Sequence, residues 1–188
     1  LVARNGDADF SRIREFLQRN SGSWLAEKLR GEWLRSLGKR ADWSTLAAEY
    51  PNMEQPEQDL RCYHYQARLS NGDPALLEEI RPLWFSLVDT PESCIPVLRA
   101  LVQEARVSPD EIWSRVRRLM EAKRVTGARA VAAWLPAEQL IGPSDLDKAS
   151  TNPSTYLDRL PANFAASRQG RELVLIAIAR LARDDPQG

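Results

Sequence analysis

The chain has 188 residues, in which 26 Lys and Arg balance 26 Asp and Glu, with a single histidine, His64. At 28% charged and 43% hydrophobic it is no disordered tail, and its longest apolar run, Leu173 to Ala179, falls far short of the roughly 20 residues that a bilayer core requires. Zero net charge argues against global attraction to nucleic acid, and one histidine argues against a His-rich metal site or a His-based catalytic dyad.

The chain opens Leu1-Val2-Ala3, with neither Met nor a secretory signal pattern, and so reads as a piece of a longer protein. From there the apolar spacing is helical nearly throughout. Phe10, Ile13, Phe16 and Leu17 form the first stripe, and Leu25, Leu29, Trp33 and Leu37 the second. Gly38 stands where a helix end favours a positive φ, and Asp42 caps the next start, ahead of Trp43, Leu46, Ala47 and Tyr50. Tyr50-Pro51 ends that helix, because the residue before proline is pushed out of the α region. Asn71-Gly72-Asp73-Pro74 reads as a stop, a cap and a first-turn proline in succession. Pro82 falls inside the pattern Leu77, Ile80, Leu83, Trp84 and should kink or split that helix. Ser108-Pro109-Asp110-Glu111 is a capping box with proline at the first helical position, ahead of Ile112, Trp113, Val116, Leu119 and Met120. Asn152-Pro153 repeats the cap-then-proline device.

These signals place helices near 8–20, 23–37, 43–50, 57–70, 74–88, 92–105, 109–122, 125–135, 144–150, 154–160 and 168–183. No stretch alternates with β-branched enrichment, so no strand is expected. Start signals at Asp7, Asp42, Asp73 and Ser108 lie 35, 31 and 35 residues apart. That period suits a right-handed α-α superhelix of helical hairpins, TPR-like, filling residues 1–188 as one domain of ten to eleven helices; a compact bundle is the competing architecture. The last helix is apolar all round over 173–179 and should be covered on more than one side, either within this domain or by a following segment.

Motifs that carry chemistry are missing. There is no Gly-rich phosphate loop, no Gly-x-Ser-x-Gly and no His-Glu-x-x-His, and the pairs Glu78-Glu79 and Asp184-Asp185 diverge on a helix. No residue is assigned a catalytic, metal-binding or cofactor-binding role. Cys62 and Cys94 are either two free core thiols or one disulfide. The six tryptophans, Trp24, Trp33, Trp43, Trp84, Trp113 and Trp134, could serve as sugar-stacking platforms, but Trp33, Trp43, Trp84 and Trp113 lie on apolar stripes, so core packing is the better reading; His64, between Tyr63 and Tyr65, reads as aromatic packing. Residues 106–129 hold seven basic against three acidic side chains. Within them Arg115, Arg117, Arg118, Lys123 and Arg124 are candidates for an anionic or glycan contact or an interdomain contact. Arg115 and Arg118 share a helix face and Arg117 does not. Taken bottom-up, the residues describe a helical array with a scaffold or binding role.

The stretch Leu25–Pro51, LAEKLRGEWLRSLGKRADWSTLAAEYP, resembles the N-terminal helical region of soluble lytic murein transglycosylases. The likeness continues through Arg61-Cys62-Tyr63-His64-Tyr65-Gln66-Ala67-Arg68 and Asn71-Gly72-Asp73, then Leu83-Trp84, Pro91 and Cys94. Ser114-Arg115-Val116-Arg117-Arg118-Leu119-Met120 and Trp134-Leu135-Pro136-Ala137 extend it, so that it covers roughly residues 13–183. The resemblance implies a superhelical fragment of a periplasmic enzyme that cleaves the MurNAc–GlcNAc bond of peptidoglycan, leaving a 1,6-anhydro end. It implies a disulfide between Cys62 and Cys94, and as partners the remainder of the parent chain with its lysozyme-like catalytic domain and the peptidoglycan glycan strands. The family's catalytic Glu-Ser, Gly-Leu-Met-Gln and Ala-Tyr-Asn-Ala-Gly signatures are absent; Glu92-Ser93 stands between Pro91 and Pro96 with no module following. Pro82 and Leu87-Val88 replace a helix former and a Gly-Lys turn of the family pattern. The implied role is therefore an inert scaffold that positions glycan and catalytic domain, with no nucleic acid and no membrane span involved. The alternative is a TPR-like adaptor that binds a protein or peptide.

Overall fold

The computed structural model describes residues 7–73 and 75–184. Leu1–Ala3, the first-turn proline Pro74 and the Asp184-Asp185 side-chain pair lie outside the described residues. Among the described residues there are eleven α-helices and no strand. They are α1 (Asp7–Arg19), α2 (Trp24–Lys39), α3 (Trp43–Glu49), α4 (Gln58–Ser70), α5 (Leu76–Ser86), α6 (Cys94–Gln103), α7 (Pro109–Glu121), α8 (Val125–Ala132), α9 (Asp145–Thr151), α10 (Pro153–Asp158) and α11 (Arg168–Asp184). Each expected helix is present, and the all-α expectation holds. The chain divides into two compact units, one of Leu1–Pro82 with Pro91–Ala100, the other of Leu83–Thr90 with Leu101–Gly188.

In the first unit, α1 packs on α2, and α2, α3 and α4 pack on one another. Their core holds Leu17, Trp33, Leu34, Leu37, Leu46 and Leu60, with Trp43 and Tyr63 partly buried against it. Burying a side chain of this size stabilises by roughly 1.5–3 kcal/mol. Ser23 starts α2 by accepting from the Ala26 amide, and Asp42 starts α3 by accepting from Thr45. Cys62 of α4 and Cys94 at the start of α6 are joined by a disulfide with Cα atoms 4.9 Å apart. Closing a loop of this size removes roughly 3–4 kcal/mol of unfolded-chain entropy in the chain-entropy account. Beside it, Ser93 Oγ donates to the Asp59 carbonyl at 2.9 Å and Gln66 Nε2 donates to the Ser93 carbonyl at 2.7 Å. His64 stacks on Tyr50 with ring centroids 4.1 Å apart and planes 2° from parallel, the aromatic packing its sequence neighbours suggest.

In the second unit, α7 packs on α8 and α11, and α9 packs on α8, α10 and α11. Its buried residues include Trp84, Leu101, Ile112, Trp113, Val116 and Leu119. The Ser108 capping box forms in full, with Pro109 at the first helical position. In α11, Leu173, Ile176 and Ala177 are buried while Leu175 and Ile178 remain about half exposed, at 53% and 49%. The expectation that this helix is covered on several sides thus holds for one side only.

Three local readings are corrected. Gly38 lies inside α2, which runs on to Lys39, and the positive φ belongs to Ala41 at 56°. The glycine is needed for a different reason: a Cβ there would penetrate the Tyr63 ring. Tyr50 keeps α-region angles (φ −56°, ψ −39°) before Pro51, because the chain tightens into a 3-10 turn over Tyr50–Asn52 instead of extending. Asn152 precedes Pro153 but makes no side-chain cap bond. Pro82, for its part, lies within a helix that continues to Ser86 and is not split.

The stops share one geometry. After α2, α4, α6 and α7 a residue with positive φ follows, namely Ala41, Gly72, Ala105 and Lys123, at 56°, 71°, 50° and 60°. In each case the next amide reaches back five residues, from Asp42 to Leu37, Asp73 to Arg68, Arg106 to Leu101 and Arg124 to Leu119. This is the backbone closure that usually selects glycine, because a Cβ in the left-handed region crowds the following carbonyl. Replacing Ala41 or Ala105 by Gly should therefore raise stability by up to about 1 kcal/mol in urea unfolding, whereas Gly72→Ala should lower it by a similar amount.

The stack on Tyr50 yields a second expectation. Burial, then the nearby Arg68, pushes the His64 imidazole below its ordinary value of 6.5, with Glu79 opposing. The folded chain thus releases this proton more readily than the unfolded chain. Stability is complete above pH 6.5 and falls as the pH drops below it. Comparison of urea midpoints at about pH 7 and about pH 5 should show a smaller acid loss for His64→Phe than for the parent chain.

Candidate functional site

The five basic residues singled out from the sequence do not form one surface. Arg115 and Arg118, a helical turn apart on α7, converge on a single acceptor, the Trp84 carbonyl, at 2.5 and 2.7 Å. Trp84 lies in the last turn of α5, where backbone carbonyls lack intrahelical donors and the helix dipole favours cations. Arg115 also donates to Thr90 Oγ1 at 2.9 Å, its guanidinium lies 5.3 Å from the Trp84 ring centroid, and its residue exposure is 2%. Burial, then the neighbouring Arg118, pushes the Arg115 guanidinium down to about 10, so it stays charged at neutral pH. Trp84 Nε1 donates to the Glu111 carbonyl at 3.2 Å, and Arg124 pairs with Asp89 at 2.6 Å. Segment 84–90, which contains the Leu87-Val88 stretch that departs from the family pattern, is thus tied to α7 through Trp84 and Thr90 and to the start of α8 through Asp89.

Arg117 points away, as its helix position requires, and pairs with Glu172 of α11. Glu172 is buried to 3% and is also paired with Arg168 at 2.9 Å. Both of its oxygens are thus engaged by guanidinium groups. Lys123 and Arg124 are exposed. Among the described residues no group of three His, Cys, Asp or Glu side chains is placed to hold a metal.

A different feature went unnoticed in the sequence. Helix α2 carries two stripes. One, through Ala26, Arg30, Trp33, Leu34 and Leu37, is buried. The other, through Trp24, Glu27, Lys28, Gly31, Glu32 and Arg35, lines a cleft of about 330 Å³. Met53, Leu60 and Glu57 complete its walls. Trp24 is 74% exposed, with the Lys28 ammonium 5.0 Å from its ring centroid. Arg35 bridges Glu32, Glu57 and Asp59 at 2.9, 2.7 and 2.7 Å. Glu27 is committed to Arg30 and to the Glu54 amide. The available signal was that Trp24 stands off the Leu25, Leu29, Trp33, Leu37 stripe, directly after its capping serine.

No protein-family model matches the chain, and no curated protein sequence does. Solved structures do. The complex of the 70-kDa soluble lytic transglycosylase with bulgecin A superposes with a TM-score of 0.67 at 23% identity, over 93% of this chain and 28% of that one. An inactive mutant of lytic transglycosylase Slt from Pseudomonas aeruginosa matches with a TM-score of 0.63 at 23% identity, over 94% of this chain and 28% of that one. This chain shares its fold with soluble lytic transglycosylases. It spans less than a third of the length of either protein, and both belong to the family that the sequence resembles.

The geometry around Trp84 makes a prediction about the arginines. Arg115→Ala should cost about 2–4 kcal/mol in urea unfolding, because a buried carbonyl loses a donor and Trp84 a packing partner. Arg115→Lys should recover only part of this, since a single ammonium cannot serve both Trp84 and Thr90 with the same fork. Arg124→Ala, which removes an exposed pair, should stay within about 0.5 kcal/mol of the parent.

Proposed function

We propose that this chain is the helical scaffold region of a peptidoglycan-cleaving lytic transglycosylase, and that it holds the glycan strand and the catalytic module in place without supplying a catalytic group. The observation that carries this reading is the shared fold over 93% of the chain with an enzyme of which it spans 28%. The ordered sequence motifs from Leu25 to Pro136 support it independently. The Cys62–Cys94 disulfide supports a periplasmic setting, since such bonds persist in oxidising compartments. No described helix is long and apolar enough to cross a membrane.

The buried carboxylate Glu172 is engaged by Arg117 and Arg168, which supports a structural role for it rather than a substrate-facing one. Of the five basic residues considered for glycan or interdomain contact, Arg115, Arg117 and Arg118 are engaged internally. Lys123 and Arg124 are exposed, and Arg124 is already paired with Asp89, so contact of that kind falls first to Lys123.

Purified sacculi incubated with this chain should release no 1,6-anhydro-muropeptides detectable by mass spectrometry. Anhydro products above the level of a heat-denatured control would overturn the inert assignment.

A further inference from the structure

We infer that the cleft along α2 is a saccharide subsite, with Trp24 as the platform on which one pyranose ring stacks. The inference rests on the peptidoglycan reading above and adds the place at which this chain meets glycan. Three observations converge on it. The first is the indole itself. Trp33, Trp84 and Trp113 are buried, whereas Trp24 leaves 74% of its surface in water at the mouth of a cleft. Such exposure forgoes hydrophobic stabilisation that burial would supply, and packing within this unit does not account for it. Lys28 lies 5.0 Å from the ring centroid, a contact that restrains the indole.

The second observation is charge. Glu27, Glu32 and Glu57 face the cleft against Lys28 and Arg35, and the carboxylates are already paired within the protein. An anion entering here meets three carboxylates, and a cation meets an ammonium and a guanidinium. A neutral ligand rich in hydroxyls meets acceptors on Glu32 and Glu57 and the remaining Nη1–H of Arg35, without displacing a counter-charge. Acceptors and donors held in this way lose little freedom on binding.

The third is shape and backbone. The floor is Gly31, Met53 and Leu60, and a Cβ at position 31 would come within 3.7 Å of both Met53 and Leu60. The missing side chain leaves room above an apolar surface that suits the C–H face of a sugar. The wall is helical, so its backbone groups are satisfied internally and offer no strand edge on which a peptide could add hydrogen bonds. A volume of about 330 Å³ is in the range of small-ligand clefts.

The test uses uncharged glycan strands of β-1,4-linked N-acetylglucosamine, with stem peptides released from peptidoglycan by an amidase as the second ligand, in isothermal titration calorimetry. The parent chain should bind the strands and not the peptides. Trp24→Ala should weaken strand binding by roughly tenfold or more, while Trp24→Phe, which keeps a stacking face, should recover most of it. Circular dichroism of both variants should match the parent, because the side chain is exposed. Parent binding that is unchanged in Trp24→Ala overturns the subsite and leaves the scaffold reading intact. No strand binding by the parent overturns the subsite, while the scaffold reading stands on the shared fold. Peptide binding lost in Trp24→Ala reassigns the cleft to a peptide and overturns the saccharide subsite.

Discussion

Helix α2 is the constraint on which the first unit depends. It must present two faces at once, a buried one through Trp33, Leu34 and Leu37 and an open one through Trp24, Gly31 and Arg35. Both stripes follow the same alternation of three and four residues, so any rotation of the helix that buries Trp24 expels part of the core. Two devices at its ends hold the rotation. Ser23 fixes where the helix begins, and Gly38 lets the Tyr63 ring of α4 approach the backbone closer than any side chain would permit. The disulfide then ties α4 to the start of α6, so the element that packs on α2 is itself covalently anchored.

The second unit uses electrostatics for the equivalent task. The Trp84 carbonyl lies at a helix end that has no intrahelical donor, and two arginines of α7 supply the donors. Burying Arg115 is costly for a charged group. The cost is offset by the carbonyl, the Thr90 hydroxyl and the indole face. What a charge count represents as a basic patch is mostly internal wiring. Arg117 and Arg168 neutralise Glu172 in the same way. An outside anion would therefore have to displace the partners that these arginines already hold.

Much of this was legible beforehand. The start signals at Asp42 and Ser108 operate through contacts with amides three residues away, so reading them needs no knowledge of the fold. The stops were harder. Ala41 and Ala105 adopt a left-handed geometry that their side chain does not advertise, and Gly38, read from sequence as the first stop, instead makes room for the Tyr63 ring of α4. The cleft was missed for a related reason. Trp24 belongs to a face that exists only relative to Met53, Glu57 and Leu60, which arrive from later in the chain. A tryptophan off the main stripe was the sole hint.

The sequence by itself determined the helices, their order and the absence of a recognisable catalytic signature. Helix formation depends on spacing, caps and prolines within a few residues, and those interactions form in any tertiary setting. Tertiary structure decided which arginines are spent internally and which tryptophan stays in water. It also decided which carboxylates are held by cations. Those outcomes turn on partners far apart in the chain, such as Arg117 with Glu172, whose separation of 55 residues no local pattern encodes. Burial and pairing, unlike helicity, are properties of the assembled neighbours.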